Sequence, residues 1–334
     1  MFPWIKRAVV FGFPWPVVVL SVFVGPQDSI SPKEALGWMA SVMVGAPAAE
    51  NADLVRAIVW DIRLPRILLT FCVGGALAAS GATLQAVFRN PLVCPYILGL
   101  SSGAAFGAAV ALAVGFLPVY GSAFLFAMVA VGCSYALGRV GKAVTPVSLV
   151  LSGIIVSGIF TALLTIVQFL ADPFRLQTIV HWTMGNLHNA EWKRVLDSVP
   201  LMGCGGAGMF FLRWRMNVLA LGDQEAYAVG VDPEREKIKM LIPATLAASA
   251  AVAAAGIIGM VGLVVPHMVR MMLGPDNRIG MPACFLFGGA FLVLVDDFSR
   301  ALTAFELPIG IFTTLIGGPF FIVLLRRSRL GWAA

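Results

Sequence analysis

The sequence predicts an all-α polytopic membrane protein, with ten transmembrane helices per subunit in a single domain that takes in residues 1–334. Three observations carry that reading. Of the 334 residues, 59% are hydrophobic and 12% charged, with a mean hydropathy of +0.91, whereas a soluble domain carries about 25% charged residues. The apolar residues fall in continuous runs, unlike the short alternating segments of a membrane β-barrel. The 35 glycines and 20 prolines suit a helical bundle in lipid, where small residues let backbones approach and neighbouring helices accommodate kinks.

A helix needs about 20 apolar residues to cross a hydrocarbon core of about 30 Å. Such runs occupy 8–24, 66–87, 97–115, 119–138, 145–170, 195–212, 238–256, 281–295 and 308–325. The first follows Lys6 and Arg7 as the core of a signal peptide would, yet the nearest Ala-x-Ala, Ala46–Ala48, lies far beyond it. An uncleaved first span is therefore expected. A tenth stretch, "GMVGLVVPHMVRMML" at 259–273, is short and holds Pro266 and Arg270. Counted as a short or broken span, it places both termini and most of the 23 basic residues on the cytoplasmic side, as the positive-inside bias requires. Leaving it out would send Arg326, Arg327 and Arg329 to the outer face. Cys72, Cys94, Cys133, Cys204 and Cys284 lie in or beside apolar runs with no Cys-x-x-Cys pair, and read as small buried apolar residues.

Several enzyme patterns are excluded by context. "GCGGAG" (203–208) satisfies G-x-G-x-x-G but lies within an apolar span with no strand before it, so it reads as close helix packing. "GLSSG" (99–103) satisfies G-x-S-x-G, but of the three histidines His181 and His188 fall outside and His267 near the inner face. Gly99, Gly103 and Gly107, spaced by four, instead form a smooth stripe for a neighbouring helix. "GRVGKA" (138–143) has the wrong spacing for a phosphate-binding loop. The chain therefore cannot hydrolyse ATP by that mechanism, and it is expected not to be an enzyme. No cofactor, resident metal or nucleic-acid partner is expected.

Two charged regions stand out. The longest inner loop, 213–237, is the most charged stretch, yet it interleaves Val218, Leu219, Leu221, Ala226 and Val229 with two glycines. It reads as two short helices broken at Gly222, with a second stop at Gly230, and such an amphipathic pair suits docking to another protein or, as an alternative, lying on membrane lipid. On the outer side, Arg63 and Arg66 flank a proline in "WDIRLPRILL", with Asp61 nearby, and Arg300 lies in "DDFSRALTAFELP". Outer arginines either snorkel or recognise carboxylates. Residues 172–192 read as an outer mouth with a short helix near 174–182 that includes His181.

In order and spacing, "RLPR" (63–66), "SGATLQAVFRNPL" (80–92), "LGLSSGAAFG" (98–107), "NVLALGDQEAYAVGVD" (217–232), "GMVGLVVPHMVR" (259–270) and "ELPIGIFTTLIGGPFFIVLL" (306–325) resemble the FecCD-type permeases of bacterial ABC importers for iron chelates, haem and cobalamin. The resemblance covers nearly the whole chain. It implies a type II importer fold, a homodimer whose interface is the translocation path, two cytoplasmic ATP-binding subunits and a periplasmic or lipid-anchored substrate-binding protein. It also implies an inner-membrane location, a gate at Asn90, Leu92, Pro146 and Val147, and binding-protein docking at Arg63, Arg66 and Arg300. The coupling element maps to 217–231, with Leu219, Leu221, Gly222, Asp223, Glu225, Ala226 and Gly230. Two departures accompany it: small polar residues are common in the cobalamin permease where Pro146 and Val147 stand here, and the Arg300-to-Glu306 gap is one residue shorter.

The function this implies is ATP-driven import of a bulky metal chelate, a ferric siderophore or haem first and cobalamin next, with energy supplied by a separate subunit. The rival reading is a secondary transporter driven by an ion gradient. That chemistry calls for ionisable residues at mid-membrane, and the spans hold almost none, with Asp197 and Asp296 near outer ends.

Overall fold

The structure is a computed structural model that describes residues 3–25, 30–44, 51–140, 143–302 and 307–328. Fifteen α-helices run in chain order among these residues. α1 (Pro3–Gly12) and α2 (Pro14–Ser21) together make the first span, interrupted at Phe13 before Pro14. α3 (Pro32–Val44) and α4 (Ala52–Arg56) follow, and a π-helical stretch Ala57–Arg63 leads without a break into α5 (Leu64–Phe88). After a 3-10 turn Pro95–Leu98 come α6 (Leu100–Val114) and α7 (Val119–Gly138). A small antiparallel hairpin, β1 (Arg139–Val140) with β2 (Ala143–Val144), then leads to α8 (Pro146–Leu170). The remainder are α9 (Pro173–Thr183), α10 (Trp192–Leu221), α11 (Asp223–Ala228), α12 (Pro233–Ala255), α13 (Val261–Leu273), α14 (Asn277–Leu302) and α15 (Ile309–Ser328).

Seven helical segments among the described residues are long and apolar enough to cross a membrane, and the shorter apolar helices α6, α13 and α15 complete the ten spans. Three expectations change. The helix expected over 66–87 begins earlier, because the π-helical stretch carries α5 backwards through Trp60 and Arg63. The sixth span does not end near 212: α10 runs on to Leu221 as one 30-residue helix. Cys133 and Cys204 are exposed on α7 and α10 and not buried, whereas Cys284 is buried. Glu306 and Arg329 lie outside the described residues.

α5 is the shaft of the bundle. Its middle, "GGALAASGATLQAVF" (74–88), is buried along its whole length, and α10, α12, α13 and α14 pack around it. Small side chains make this possible. A Cβ added at Gly81 would sit 1.9 Å from the carbonyl oxygen of Gly262 on α13, and one at Gly74 would sit 2.3 Å from that of Gly288 on α14. The 103–107 stripe works in the same way: Cβ atoms at Gly103 and Gly107 would each lie 2.4 Å from α7 carbonyls. Apolar side chains have no hydrophobic incentive to leave lipid for one another, so backbone-to-backbone contact of this kind carries helix association.

Gly81→Ala is therefore expected to part α5 from α13 and to destabilise the detergent-solubilised protein by about 1–3 kcal/mol or more. Gly132→Ala on α7, where an added Cβ meets nothing within 4 Å, should leave the unfolding temperature unchanged. Thermal unfolding followed by tryptophan fluorescence checks both.

Candidate functional site: gate segments, coupling helix and outer arginine cluster

Two breaks in helix geometry build the end of the bundle that carries α11. α5 stops because Arg89 adopts a left-handed conformation (φ 51°). The next N–H, that of Asn90, bonds back to the carbonyl of Gln85 at 3.2 Å. The Asn90 side chain then accepts from the N–H of Leu92 at 2.9 Å, closing an Asx turn that leaves Leu92 exposed. The Gln85 side chain accepts from Arg270 on α13 at 2.5 Å, so the turn is tied to a second helix.

The other segment follows the β1–β2 hairpin. Thr145 caps α8 in a reciprocal arrangement with Ser148, and Ser148 Oγ donates to the Gly138 carbonyl at 2.7 Å. Pro146 takes the first helical position, where its missing N–H costs nothing. Val147 points outward, 68% exposed. Phe88 and Pro146 line one shared crevice together with Tyr135, Val144, Glu234 and Lys237. The structure thus brings both sequence-assigned gate segments to the same end of the bundle.

Gly222 separates α10 from α11 with φ 142° and ψ 161°, a region open to glycine alone. A Cβ there would lie 2.0 Å from Glu225 Oε2. Gly230 (φ 78°) ends the element, and the Val231 N–H returns to the Ala226 carbonyl at 2.9 Å. Leu219 and Ala226 are buried, whereas Leu221, Tyr227 and Val229 stay exposed. The first of the two short helices expected here is thus the end of α10, and only α11 is separate. Asp223 at the start of α11 pairs with Arg89 at 3.2 Å. Asn217 on α10 donates to Asp276 at 2.6 Å. The Arg278 N–H and the Asn217 amide hold the Asp276 carboxyl below the usual carboxylate range, with a smaller contribution from the Arg7 charge.

At the opposite end the three arginines expected on an outer rim are buried. Arg63, Arg66 and Arg300 are 3%, 6% and 5% exposed, turned into the bundle and away from the rim. Arg66 meets Asp296 with Nη2 at 2.8 Å and Nε at 3.0 Å, and Arg300 Nε lies 3.3 Å from the same carboxylate. Arg300 also pairs with Asp297, which accepts from Ser21 Oγ at 2.7 Å. Arg63 donates to the Val22 carbonyl at 2.8 Å and Arg300 to that of Val24 at 3.1 Å. The cluster pins α2, α5 and α14 together at this end. Asp296 is the ion-pair partner shown for Arg66. Sequence reasoning missed the roles of both aspartates, although the spacings of Asp296 and Asp297 to Arg300, four and three, match neighbours on a helix face.

In the 172–192 segment Asp172 caps α9 by accepting from the N–H groups of Phe174 and Arg175, both at 3.1 Å. His181 and His188 stack with ring centroids 5.7 Å apart, and the Asn186 amide lies 3.0 Å from His181 Nδ1. Among the described residues no group of three or more His, Cys, Asp or Glu side chains is placed to hold a metal.

Ten membrane helices around a small-residue shaft, closed at one end by buried charge and carrying a short exposed helix at the other, define a multi-pass membrane permease. The chain belongs to the FecCD transport family, which matches residues 14–327. It is 39% identical over 324 residues to the cobalamin import system permease protein BtuC of Halobacterium salinarum, covering 96% of this chain and 81% of that protein. It is 38% identical to the molybdate import system permease protein MolB of Haemophilus influenzae, with 86% of each covered. Identity to the hemin transport system permease protein HmuU of Yersinia pestis is 37%, over 81% of this chain and 84% of that one. Among solved structures, a metal-chelate type ABC transporter in an inward-facing conformation superposes with a TM-score of 0.83 at 32% identity, covering 96% of this chain and 99% of that one. PsaBC from Streptococcus pneumoniae shares the fold at a TM-score of 0.54 and 16% identity, over 81% and 94%. The chain is accordingly a permease subunit of an ABC importer and not itself an enzyme.

Removing the central carboxylate tests the outer cluster. Asp296→Asn leaves two buried guanidinium groups short of charge, and breaking a buried pair costs about 3–5 kcal/mol. A marked fall in unfolding temperature is expected in detergent, and a double replacement of Arg66 by Met and Asp296 by Leu should recover part of it.

Proposed function

We propose that this permease imports a bulky metal chelate, a ferric siderophore or haem first and cobalamin next, as a homodimer served by two cytoplasmic ATP-binding subunits and an outer substrate-binding protein. On this reading the face carrying α11 is cytoplasmic, both chain termini lie on that side, and the membrane is the bacterial inner membrane. The observation that carries the proposal is the pairing of Asp223 on α11 with Arg89, the residue before Asn90. An element with exposed Leu221, Tyr227 and Val229 is thereby joined directly to a gate segment. The exposed apolar face of α8, with Val147, Leu151, Ile154 and Ile155, suits the wall between two copies. The names of the relatives, which include cobalamin and hemin transport, support a large chelate as cargo.

Docking of the binding protein remains assigned to the rim that Arg63, Arg66 and Arg300 organise. Since all three are buried, they serve it by holding the outer ends of α2, α5 and α14, and salt should weaken docking only through charges that stay in water. The ion-gradient alternative lacks a free carboxylate in the outer cluster: Asp296 and Asp297 are each engaged by arginine.

Reconstitution with the cognate ATPase and binding protein decides between the two. Uptake of radiolabelled iron chelate, haem or cobalamin, tested one by one, should require ATP and the binding protein and should survive a protonophore. Uptake driven by a proton gradient without ATPase would end the importer reading. Leu221→Ala with Tyr227→Ala removes two exposed apolar side chains, worth about 1–3 kcal/mol each if buried against the partner, and should weaken co-purification of the ATPase at least tenfold.

A further inference from the structure

The Asp223–Arg89 pair belongs to a wider ion relay whose hub, Lys237, the gate and coupling assignments leave unused. This residue lies in the first turns of α12, with its side chain 11% exposed. Its Nζ lies 2.9 Å from Asp223 Oδ2 on α11 and 3.0 Å from Glu234 Oε1 on its own helix. Each carboxylate spends its second oxygen elsewhere. Asp223 Oδ1 pairs with Arg89 Nη2 at 3.2 Å, and Glu234 Oε2 accepts the Val144 N–H at 3.1 Å. Arg89 immediately precedes Asn90, and Val144 stands two residues before Pro146. One ammonium group therefore ties the short helix α11 to both gate segments through two shared carboxylates.

We propose that Lys237 is the positioning residue that transmits displacement of α11 to the Asn90–Leu92 turn and to the Pro146–Val147 helix start together. The proposal rests on the importer reading above and names the contact through which it works. Three features favour transmission over general adhesion. The two links at Lys237 Nζ are charge-assisted hydrogen bonds at a hub largely shielded from water, so they are stronger than surface pairs, and the partly hydrated Asp223–Arg89 contact extends them to the turn by charge alone. They join segments whose own backbones are sharply turned, at Arg89 and Gly222, so the turns move as units. The adjacent cluster of Arg215, Glu236 and Lys239 joins α10 to α12 without reaching either gate segment, which makes it an internal control.

The test needs no knowledge of the cargo. In a background without the native cysteines, a single cysteine replaces Leu92 or, separately, Val147, both exposed. Its labelling rate by a membrane-impermeant maleimide is then measured in the permease–ATPase complex, with and without ATP and vanadate. Labelling should respond to nucleotide in the parent protein. In Lys237→Met the response at both positions should shrink about fivefold or more, while ATPase co-purification and basal hydrolysis persist. Lys237→Arg should restore much of it. Glu234→Ala, which cuts a single arm, should abolish the response at position 147 and spare that at 92. This variant decides the matter if Lys237→Met does not assemble. An undiminished response in Lys237→Met, or equal responses at both positions in Glu234→Ala, overturns the relay while leaving the importer reading intact. A parent complex with no nucleotide response removes that reading, and the relay with it. Glu236→Gln should change neither position, and loss of response there would reduce Lys237 to one member of a general ionic network.

Discussion

The rest of the molecule depends on how closely other backbones can approach α5. In lipid, helices gain little from hiding apolar side chains, so they associate where small residues allow many short-range contacts. The carbonyls of Gly262 and Gly288 lying against the bare Cα positions of Gly81 and Gly74 are contacts of this kind. They place α13 and α14 against one helix at a separation that no larger residue permits. With α10 and α12 on its remaining sides, α5 becomes a rigid rod whose two ends carry the functional chemistry.

The two ends use charge differently. At one end Arg66, Arg300, Asp296 and Asp297 are almost without water. Ions taken out of water are tolerated only with good geometry and mutual hydrogen bonds, and the two-pronged Arg66–Asp296 contact provides it. At the α11 end Asp223 and Arg89 have side chains 38% and 36% exposed, and partly hydrated pairs are worth about 0–1 kcal/mol each.

Relatives named for cobalamin, molybdate and hemin share the scaffold over most of its length. In this chain the shaft is built on glycine contacts, the α10–α11 junction is broken at Gly222, and Leu92 and Val147 present exposed apolar side chains.

Much of this was readable in the sequence, for a definite reason. Hydropathy runs located nine spans because a helix in lipid must be apolar over its own local length, and the positive-inside bias added the short tenth. The break at Gly222 and the stripe through Gly103 and Gly107 are equally local, since backbone freedom and missing side-chain bulk belong to single residues. What only the tertiary structure decided is which side chains meet across the bundle. Asp296 lies 230 residues from Arg66, so no periodicity connects them, and three arginines that read as an outer display prove to be buried pins. The continuation of α10 to Leu221 was hidden as well, because polar residues such as Arg213, Arg215 and Asn217 look like a loop until Glu236 and Asp276 are seen to receive two of them. Pairing energies depend on distance in space, and a chain discloses only distance along itself.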